Sequence, residues 1–278
     1  MGTLYVVGTP IGNLEDLSPR AVRVLRAATL IAAEDTRRSR KLLAHFGLDT
    51  PLTSYYEHNK LTKLATILKS LEQGPVALIS DGGMPGISDP GYELINAAVA
   101  AGHVVSPVPG PSAVSAALVV SGLPTDAYVF LGFLPRRSAA RRAVLEENAA
   151  ERRTLVAFES PHRLAEALDD VVAVLGDRPL AVARELTKMY EEVFRGTAYA
   201  ARDHFASEAP RGEVTLVIGG APKSEVQVWP EARVRVKLNE MLEAGVSPTT
   251  AAKSVARDSG WARRDVYRLA VADDSRGS

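Results

Sequence analysis

Residues 76–91 read VALISDGGMPGISDPG, and this stretch decides the class of fold expected for the chain. Its apolar start, residues 76–79, predicts a buried strand that ends at Ser80 and Asp81. A loop with three glycines follows, and residues 88–91 form a turn signal that opens a helical pattern. Glycines behind a strand let a ligand approach bare backbone groups, and ligands of open α/β sheets bind at that end of the strands. The stretch therefore predicts a small-molecule site, although glycine-rich turns also occur in α/β proteins without a ligand.

The composition is that of an ordinary globular protein. The chain has 278 residues, of which 46% are hydrophobic and 24% charged, and this length predicts two domains with room for a small third. The absence of cysteine excludes disulfides and thiolate chemistry, and the five histidines lack the spacing of metal ligands, so no metal is expected. No signal-peptide pattern or membrane-spanning run occurs, so we expect a cytoplasmic protein without membrane contact.

The balance of charge limits how the chain can bind nucleic acid. Lys+Arg and Asp+Glu both total 33, which excludes a general electrostatic attraction to a polyanion. Local basic clusters remain, at residues 37–41, 136–142 and 263–268. Taken alone, each cluster is more typical of a solvated helix face than of a binding site.

Strand and helix patterns alternate over residues 1–110 and predict a parallel α/β domain. Its predicted strands cover residues 4–7, 29–33, 52–55, 76–79 and 104–105, and its helices 18–27, 41–46, 60–72 and 93–101. Prolines 107, 109 and 111 around Gly110 predict a domain boundary.

A second α/β domain is predicted over residues 111–222. Its strands cover residues 128–132, 154–158, 180–183 and 214–218, and its helices 112–121, 139–147 and 164–175. A linker over 221–229 leads to a helical tail, residues 230–278, whose short helices and glycine turns are similar to a helix-turn-helix. Such tails bind nucleic acid or serve packing, and the pattern leaves both open.

Four polar clusters follow predicted strands, at the ends where active sites gather. They are residues 34–37 (EDTR), 56–59 (YEHN), 159–163 (ESPHR) and 184–188 (RELTK). Each combines acidic or hydroxyl groups with a base or a cation, which is typical of an enzyme. The alternative is helix capping, which is the more natural role of Ser160 because Pro161 follows it.

Eight stretches, in this order, carry a resemblance to a known family. They are LYVVGTPIGNLEDLSPRAVRVL, AAEDTRRSRKLL, YYEHN, ALISDGGMPGISDPG, VPGPSAVSAALVVSGLP, FLGFLPR, LVAFESPHRL and ARELTKMYEEVFRG. The chain resembles the tetrapyrrole methylase superfamily and, within it, the 16S ribosomal RNA cytidine 2′-O-methyltransferases. The resemblance covers nearly the whole α/β portion.

The resemblance implies a fold of two α/β domains with a helical C-terminal module and S-adenosylmethionine in the cleft between the domains. It implies a homodimer that methylates the ribose 2′-oxygen of a cytidine in 16S ribosomal RNA of the small subunit, without a metal. The alternative is a superfamily methyltransferase that acts on a small, tetrapyrrole-like molecule or on a protein side chain.

Carried over position by position, the resemblance places the methyl-donor contacts at Ile11, Asp81, Gly82, Gly83, Met84, Ile87, Ser112, Ala113, Phe158, Glu159 and Leu186. Two departures argue against a tetrapyrrole substrate. Relatives that act on tetrapyrroles carry Gly-Pro-Gly-Asp where residues 10–13 read PIGN, and Gly-Asp-Pro where residues 83–85 read GMP. An acid is therefore missing at Met84, and Asp81 is the candidate replacement.

A ribose hydroxyl is a weak nucleophile, so a nearby base would assist methyl transfer. The candidate bases, which the sequence does not rank, are Glu34, Asp35, His58, Glu159 and His162. Phosphates and base edges of an RNA are bound by cationic side chains, and the candidates are Arg37, Arg38, Arg136, Arg137, Arg163 and Lys188.

Overall fold

A computed structural model describes residues 2–206, 211–222 and 228–274 of the chain, with side chains as far as residue 271. The chain forms two compact units, one up to Ala221 and one from Pro222 onward. Part of the predicted linker, residues 223–227, lies outside the described residues. The predicted domain boundary near residue 110 stays a prediction.

The first sheet is fully parallel, as the alternating sequence pattern predicts. Its strands are β1 (Thr3–Val7), β2 (Leu30–Ala33), β3 (Leu52–Ser54), β4 (Val76–Ile79) and β5 (Val104–Val108), in the order β3-β2-β4-β1-β5. The helices that connect them are α1 (Pro19–Ala27), α2 (Thr36–His45), α3 (Lys60–Gln73) and α4 (Tyr92–Ala100). The parallel α/β prediction is confirmed.

Strand β4 is buried along its whole length because helices cover both faces of the sheet. Ala77 and Ile79 pack into the apolar cluster on one face, while Val76 and Leu78 pack into the cluster on the other. A continuous apolar run was the expected signature of such a strand. Central β4 thus delivers residues 80–91 to the carboxyl edge of the sheet.

Two elements of the first sheet differ from the sequence prediction. Helix α2 begins at Thr36 rather than at residue 41, because the Asp35 carboxylate caps it and accepts a hydrogen bond from the Arg37 N–H at 2.8 Å. Strand β5 continues through Pro107 to Val108. It pairs with β1 at the edge of the sheet, where a missing backbone donor is tolerated.

The second sheet is mixed. Its strands are β6 (Tyr128–Phe133), β7 (Thr154–Glu159), β8 (Pro179–Arg184), β9 (Glu192–Thr197) and β10 (Val214–Ile218), in the order β6-β7-β10-β8-β9. Strands β6 and β7 run parallel, and the other neighbouring pairs are antiparallel. Helices α5 (Ala113–Val120), α6 (Ser138–Glu147), α7 (Leu164–Leu175) and α8 (Ala198–Ala206) accompany this sheet. Strand β9 and helix α8 were not predicted.

The second unit is a small three-helix bundle. It consists of α9 (Glu231–Glu243), α10 (Pro248–Ser259) and α11 (Arg263–Asp274) around an apolar core that includes Val234, Leu238 and Val255. Gly260 ends α10 in the left-handed conformation, with φ of 72°. No helix in the described parts of the chain is long and apolar enough to cross a membrane.

A buried ion pair joins α6 to α7. The Arg141 side chain is fully buried, and its Nη2 lies 2.7 Å from Asp170 Oδ2, whose carboxyl is 3% exposed. Ser138 Oγ and Arg142 Nε donate to the other carboxylate oxygen, at 2.9 and 2.6 Å. Burial alone would raise the pKa of Asp170, but these hydrogen bonds outweigh it and hold the pKa below its ordinary value. Arg141 Nη1 also donates to the carbonyl of Arg136, so the pair positions the loop before α6.

Replacing Asp170 with alanine is expected to lower the free energy of unfolding by about 3–5 kcal/mol, because Arg141 would keep an uncompensated buried charge. Urea unfolding at pH 7 measures the loss. The matched control is Asp169→Ala, an exposed carboxylate in the same helix, which should change stability by less than about 0.5 kcal/mol. Equal losses in the two variants would contradict the role given to the pair.

Candidate functional site

A cavity of about 710 Å³ lies at the carboxyl edge of the first sheet and is closed on its other side by the second sheet. The loops after β1, β2 and β4 form one wall. The ends of β6 and β7 and the segment that leads into β10 contribute to the other. A cavity of this size is typical of a small-molecule site.

A pair of backbone hydrogen bonds forms the floor of the cavity. The Thr9 N–H donates to the Gly83 carbonyl at 2.9 Å, and the Gly83 N–H donates to the Thr9 carbonyl at 3.0 Å. Gly83 has φ of 85°, a left-handed conformation that favours glycine. The loops after β1 and β4 are thereby joined, and both line the cavity.

The loop after β5 presses against the same floor. A Cβ on Gly8 would lie 2.7 Å from Gly110 Cα and 2.7 Å from Met84 Sδ, so the backbones meet where no side chain fits. This contact brings Ser112 and Ala113, just beyond Gly110, into the cavity lining. The glycines thus have a packing role as well as the ligand role that the sequence predicts for them.

Carboxylates link the end of β2 to the end of β4. Glu34 Oε2 accepts a hydrogen bond from the Asp81 N–H at 3.2 Å, and Asp81 Oδ1 accepts one from the Asp35 N–H at 3.1 Å. Arg38 Nη1 lies 3.2 Å from the second Asp81 oxygen. Burial raises the pKa of Glu34 and of Asp81, and the charge of Asp81 raises that of Glu34 further. Both carboxyls thus serve as structural acceptors as well as cavity lining.

Asp89 is a third acid of the cavity, and the sequence analysis missed it. Burial raises the pKa of Asp89 to about 7, and the charge of Glu34 adds to the effect, while a hydrogen bond with Ser80 opposes it. Residues 88–91 were interpreted as a turn signal before a helix. Helix α4 is in fact capped by Gly91 without any side-chain hydrogen bond, so Asp89 is not used as a cap.

Glu159 ends β7 in a buried position, with its carboxyl fully enclosed. Its Oε1 lies 2.5 Å from Arg163 Nη2 and accepts a hydrogen bond from the Ser160 N–H. Its Oε2 is buried and has no hydrogen-bond partner among the described residues. Burial raises the pKa of Glu159. A buried acceptor without a partner is costly, so a ligand that donates a hydrogen bond here would be favoured.

Aromatic side chains supply the apolar wall. The Phe158 ring packs against Phe133, with centroids 5.2 Å apart, and against Phe130 at 5.0 Å. Phe133 and Phe158 line the cavity together with Ile11 and Ile87. A flat or apolar ligand group would therefore be accommodated beside the polar floor.

The loop after β8 is held against the loop after β1. Thr187 adopts a left-handed backbone with φ of 67°, and a Cβ on Gly12 would lie 2.4 Å from Lys188 Cγ. Lys188 Nζ lies 2.8 Å from Glu185 and 3.2 Å from Glu213. Lys188 therefore reaches the cavity as part of an ion-pair network rather than as a free cation.

The structure brings most of the predicted site residues together. The predicted residues in the cavity lining are Ile11, Glu34, Arg38, Asp81, Gly82, Gly83, Met84, Ile87, Ser112, Ala113, Phe158, Glu159 and Lys188. Cavity residues that were not predicted as site residues include Thr9, Ser80, Asp89, Phe133 and residues 212–215. The last group comprises the two residues before β10 and the first two residues of the strand, whose antiparallel course carries its amino end to this edge. No sequence signal marked this group as part of a site.

Other predicted residues lie outside the lining. Asp35 caps α2 and pairs with Arg37 at 2.8 Å, which holds the pKa of Asp35 well below its usual range. Leu186 is buried in the core beneath α5. His58 and His162 are exposed, and Arg163 is bound to Glu159. Arg136 and Arg137 are exposed between β6 and α6. The functional roles predicted for these residues stay predictions.

Comparison with known proteins decides the family. Residues 3–201 match the sequence model of the Tetrapyrrole (Corrin/Porphyrin) Methylases. A protein named ribosomal RNA small subunit methyltransferase I from Halalkalibacterium halodurans is 48% identical, over 96% of this chain and 94% of that protein. The protein of the same name from Synechocystis sp. is 44% identical, over 98% of both.

The chain belongs to the tetrapyrrole methylase family, in the group of the ribosomal RNA small subunit methyltransferase I proteins. A third relative of that name, from Thermotoga maritima, is 47% identical over 221 residues, which are 79% of this chain and 99% of that protein.

Solved structures of other proteins have the same fold. Diphthine synthase matches with a TM-score of 0.63, 14% identity, and coverage of 79% of this chain and 90% of its own. Uroporphyrin-III-C-methyltransferase from Thermus thermophilus matches with a TM-score of 0.55 and 23% identity. The match covers 80% of this chain and 96% of that protein.

A methyltransferase of this family implies S-adenosylmethionine, and the cavity of this family member fits it. The lack of side chains at Gly82 and Gly83 leaves space beside the aromatic wall, and this combination suits a nucleoside. The unpartnered Glu159 Oε2 suits a cationic amino group. When bound, the donor supplies an activated methyl group on a sulfonium. Within the described residues, no cluster of three His, Asp or Glu side chains could hold a metal ion.

Gly83→Ala is expected to weaken the binding of S-adenosylmethionine at least about tenfold and to lower stability by about 1–2 kcal/mol, the cost of a left-handed alanine. Calorimetric titration and urea unfolding measure the two effects. Gly102→Ala is the matched control, because Gly102 has φ of 76° and open space around it but lies outside the cavity lining. It should lose similar stability and keep its donor affinity. Equal donor affinities in both variants would show that Gly83 does not border the donor site.

Proposed function

We propose that the chain transfers a methyl group from S-adenosylmethionine to the ribose 2′-oxygen of a cytidine in 16S ribosomal RNA of the small subunit. The carrying observation is the near full-length similarity to relatives named ribosomal RNA small subunit methyltransferase I. Met84 supports it, because tetrapyrrole-methylating relatives have an acid at that position. The homodimer and the cytoplasmic location expected from the sequence stay predictions.

The cavity supports methyl transfer through position and charge. Methyl transfer needs the acceptor oxygen, the methyl carbon and the sulfur in line, so alignment and exclusion of water are the main tasks. The floor at Thr9 and Gly83 is fixed by two hydrogen bonds, and the Phe133–Phe158 pair gives the cavity an apolar side. Carboxyls of Glu34, Asp81 and Asp89 line the cavity, and negative charge on them favours a cationic donor over its neutral product.

Basic side chains around the same edge support an RNA substrate. Arg38 lines the cavity while its side chain remains 68% exposed. Arg136 and Arg137 are exposed in the loop that follows β6, whose carboxyl end is at the cavity, and Arg141 binds the backbone of this loop. Since the whole chain has a net charge of +0, such a local patch has to supply the attraction to phosphate.

The alternative is methylation of a small molecule or of a protein side chain. Its support is the fold shared with uroporphyrin-III-C-methyltransferase and diphthine synthase, which are under 25% identical and so give the fold alone. The acceptor specificity therefore has to be measured directly.

The decisive experiment uses labelled S-adenosylmethionine with three acceptors: small subunits from cells that lack this protein, naked 16S ribosomal RNA, and uroporphyrinogen. Label is expected in RNA, at one cytidine whose 3′ phosphodiester then resists alkaline hydrolysis because the 2′-hydroxyl is blocked. Comparison of subunits with naked RNA identifies the true substrate. Label in uroporphyrinogen alone, or on a base rather than a ribose, would overturn the proposal.

The double variant Arg136→Ala/Arg137→Ala is expected to weaken RNA binding and to reduce the slope of log K against log salt by about 1.5–2, since two phosphate contacts are lost. Filter binding at several salt concentrations measures this slope, and donor affinity should not change. The matched control is Arg152→Ala/Arg153→Ala, an adjacent exposed pair that precedes β7 and so lies at the opposite edge of the same sheet. Equal effects of both double variants would exclude a specific RNA path along the cavity edge.

A further inference from the structure

We propose that the Asp89 carboxylate accepts the proton of the ribose 2′-hydroxyl during methyl transfer. This inference rests on the proposed function and adds a named catalytic residue to it. The oxygen of the hydroxyl forms a bond to the methyl carbon, the carbon–sulfur bond breaks with its electron pair passing to sulfur, and the proton moves to Asp89. Charge and atoms balance without any further reactant.

The position of Asp89 is the first support. It lines the cavity together with Gly82, Gly83 and Phe158. The residue before it, Ser88, has a left-handed backbone with φ of 61°, which is uncommon for a residue other than glycine. Such backbone conformations are costly and gather at functional sites. Here the conformation sets the course of the chain immediately before Asp89.

The second support is that each of the other candidate carboxylates has a structural partner, while the candidate bases His58 and His162 lie outside the cavity lining. Asp35 is paired with Arg37, and Glu159 is paired with Arg163. Glu34 accepts a backbone N–H from the neighbouring strand end. Asp81 also accepts a backbone N–H, and Arg38 contacts its other oxygen. These contacts hold each carboxylate in its present place.

Asp89 differs from these acids in its partners. Among the ion pairs of the described residues none includes Asp89. The amino end of α4 does not use it, since Gly91 caps that helix. A cavity carboxylate without a salt bridge or a capping role is available to a substrate hydroxyl.

The electrostatic surroundings suit proton transfer at neutral pH. Burial and the charges of neighbouring acids raise the pKa of Asp89 to about 7, and a base is most effective when its pKa is near the working pH. The titratable and cationic groups that line the cavity around it are Glu34, Asp81, Glu159 and Glu213, and Arg38, Lys41 and Lys188. Of these, Glu34, Asp81 and Glu213 raise the pKa of Asp89, whereas the cations are engaged or exposed.

The test compares Asp89→Asn with the wild-type chain on small subunits at saturating donor. The single-turnover rate is expected to fall about 10²–10⁴-fold, the usual contribution of a general base, while donor affinity by calorimetry changes less than about tenfold. The wild-type rate should rise with pH through the pKa that Asp89 has in the donor complex and then level off. The residual rate of Asp89→Asn should lack that inflection, and Asp89→Glu should restore part of the rate together with the inflection.

A measurement that needs neither donor nor RNA tests the pKa of the same Asp89 carboxyl. Because the folded pKa lies above the unfolded value, the protonated form stabilises the fold, and this contribution is lost as pH rises from about 4 to about 7. The stability of Asp89→Asn relative to wild type should therefore increase across that interval and stay constant above it. Urea unfolding at several pH values measures the difference.

The exposed carboxylate of Asp49, outside the cavity lining, provides the control variant Asp49→Asn, which should leave rate, inflection and stability unchanged. A wild-type rate in Asp89→Asn, an inflection that persists in it, or a stability difference independent of pH would overturn the inference. A wild-type chain that does not methylate RNA would instead overturn the proposed function, and the stability titration would still report on Asp89.

Discussion

The paired hydrogen bonds between Thr9 and Gly83 are the constraint on which the site depends. They join the loops after β1 and β4, two neighbouring strands at the centre of the first sheet. The Gly8–Gly110 contact adds the loop after β5, because neither backbone leaves space for a Cβ. Once these loops are fixed, the acids and the bare amides that follow each strand have only a small range of positions. The rigidity of the site is thus a property of backbone, not of long side chains.

Negative charge is concentrated beside this rigid floor. The free-energy cost of burying that charge is offset differently at each acid. Glu34 and Asp81 accept backbone hydrogen bonds across two strand ends, so their charges also hold the loops together. Asp89 lacks such support, and burial beside these charges shifts its pKa to about 7. A cationic donor would lower the cost of all three charges, because opposite charge nearby favours the ionised form. Donor binding and readiness of Asp89 to ionise are therefore expected to be coupled.

The sequence predicts the parallel sheet and the glycine floor because both depend on local signals. The buried run of β4 is apolar at every position, and residues 82–86 carry the glycines. Contacts between distant loops leave no such signal. Because Asp35 caps α2, the helix begins earlier than the sequence pattern predicts. Residues 212–215 reach the cavity because the amino end of β10 lies at this edge of the sheet. Asp89 was missed because a Ser-Asp-Pro-Gly turn reads as a helix start, while the actual cap is Gly91.

The cavity residues all belong to the unit that ends at Ala221, and this separates the chemistry from the helical tail. The Thermotoga maritima relative matches over 221 residues that make up 99% of its own length, so a protein of this name does without about a fifth of this chain. The tail has a core of its own around Val234, Leu238 and Val255 and contributes no residue to the cavity lining among the described parts of the chain. A role for the tail would therefore be measured in RNA affinity or in substrate choice, and not in donor binding or in the protonation of Asp89. The hydrogen bonds at Thr9 and Gly83 position the reaction site whether or not the tail has such a role.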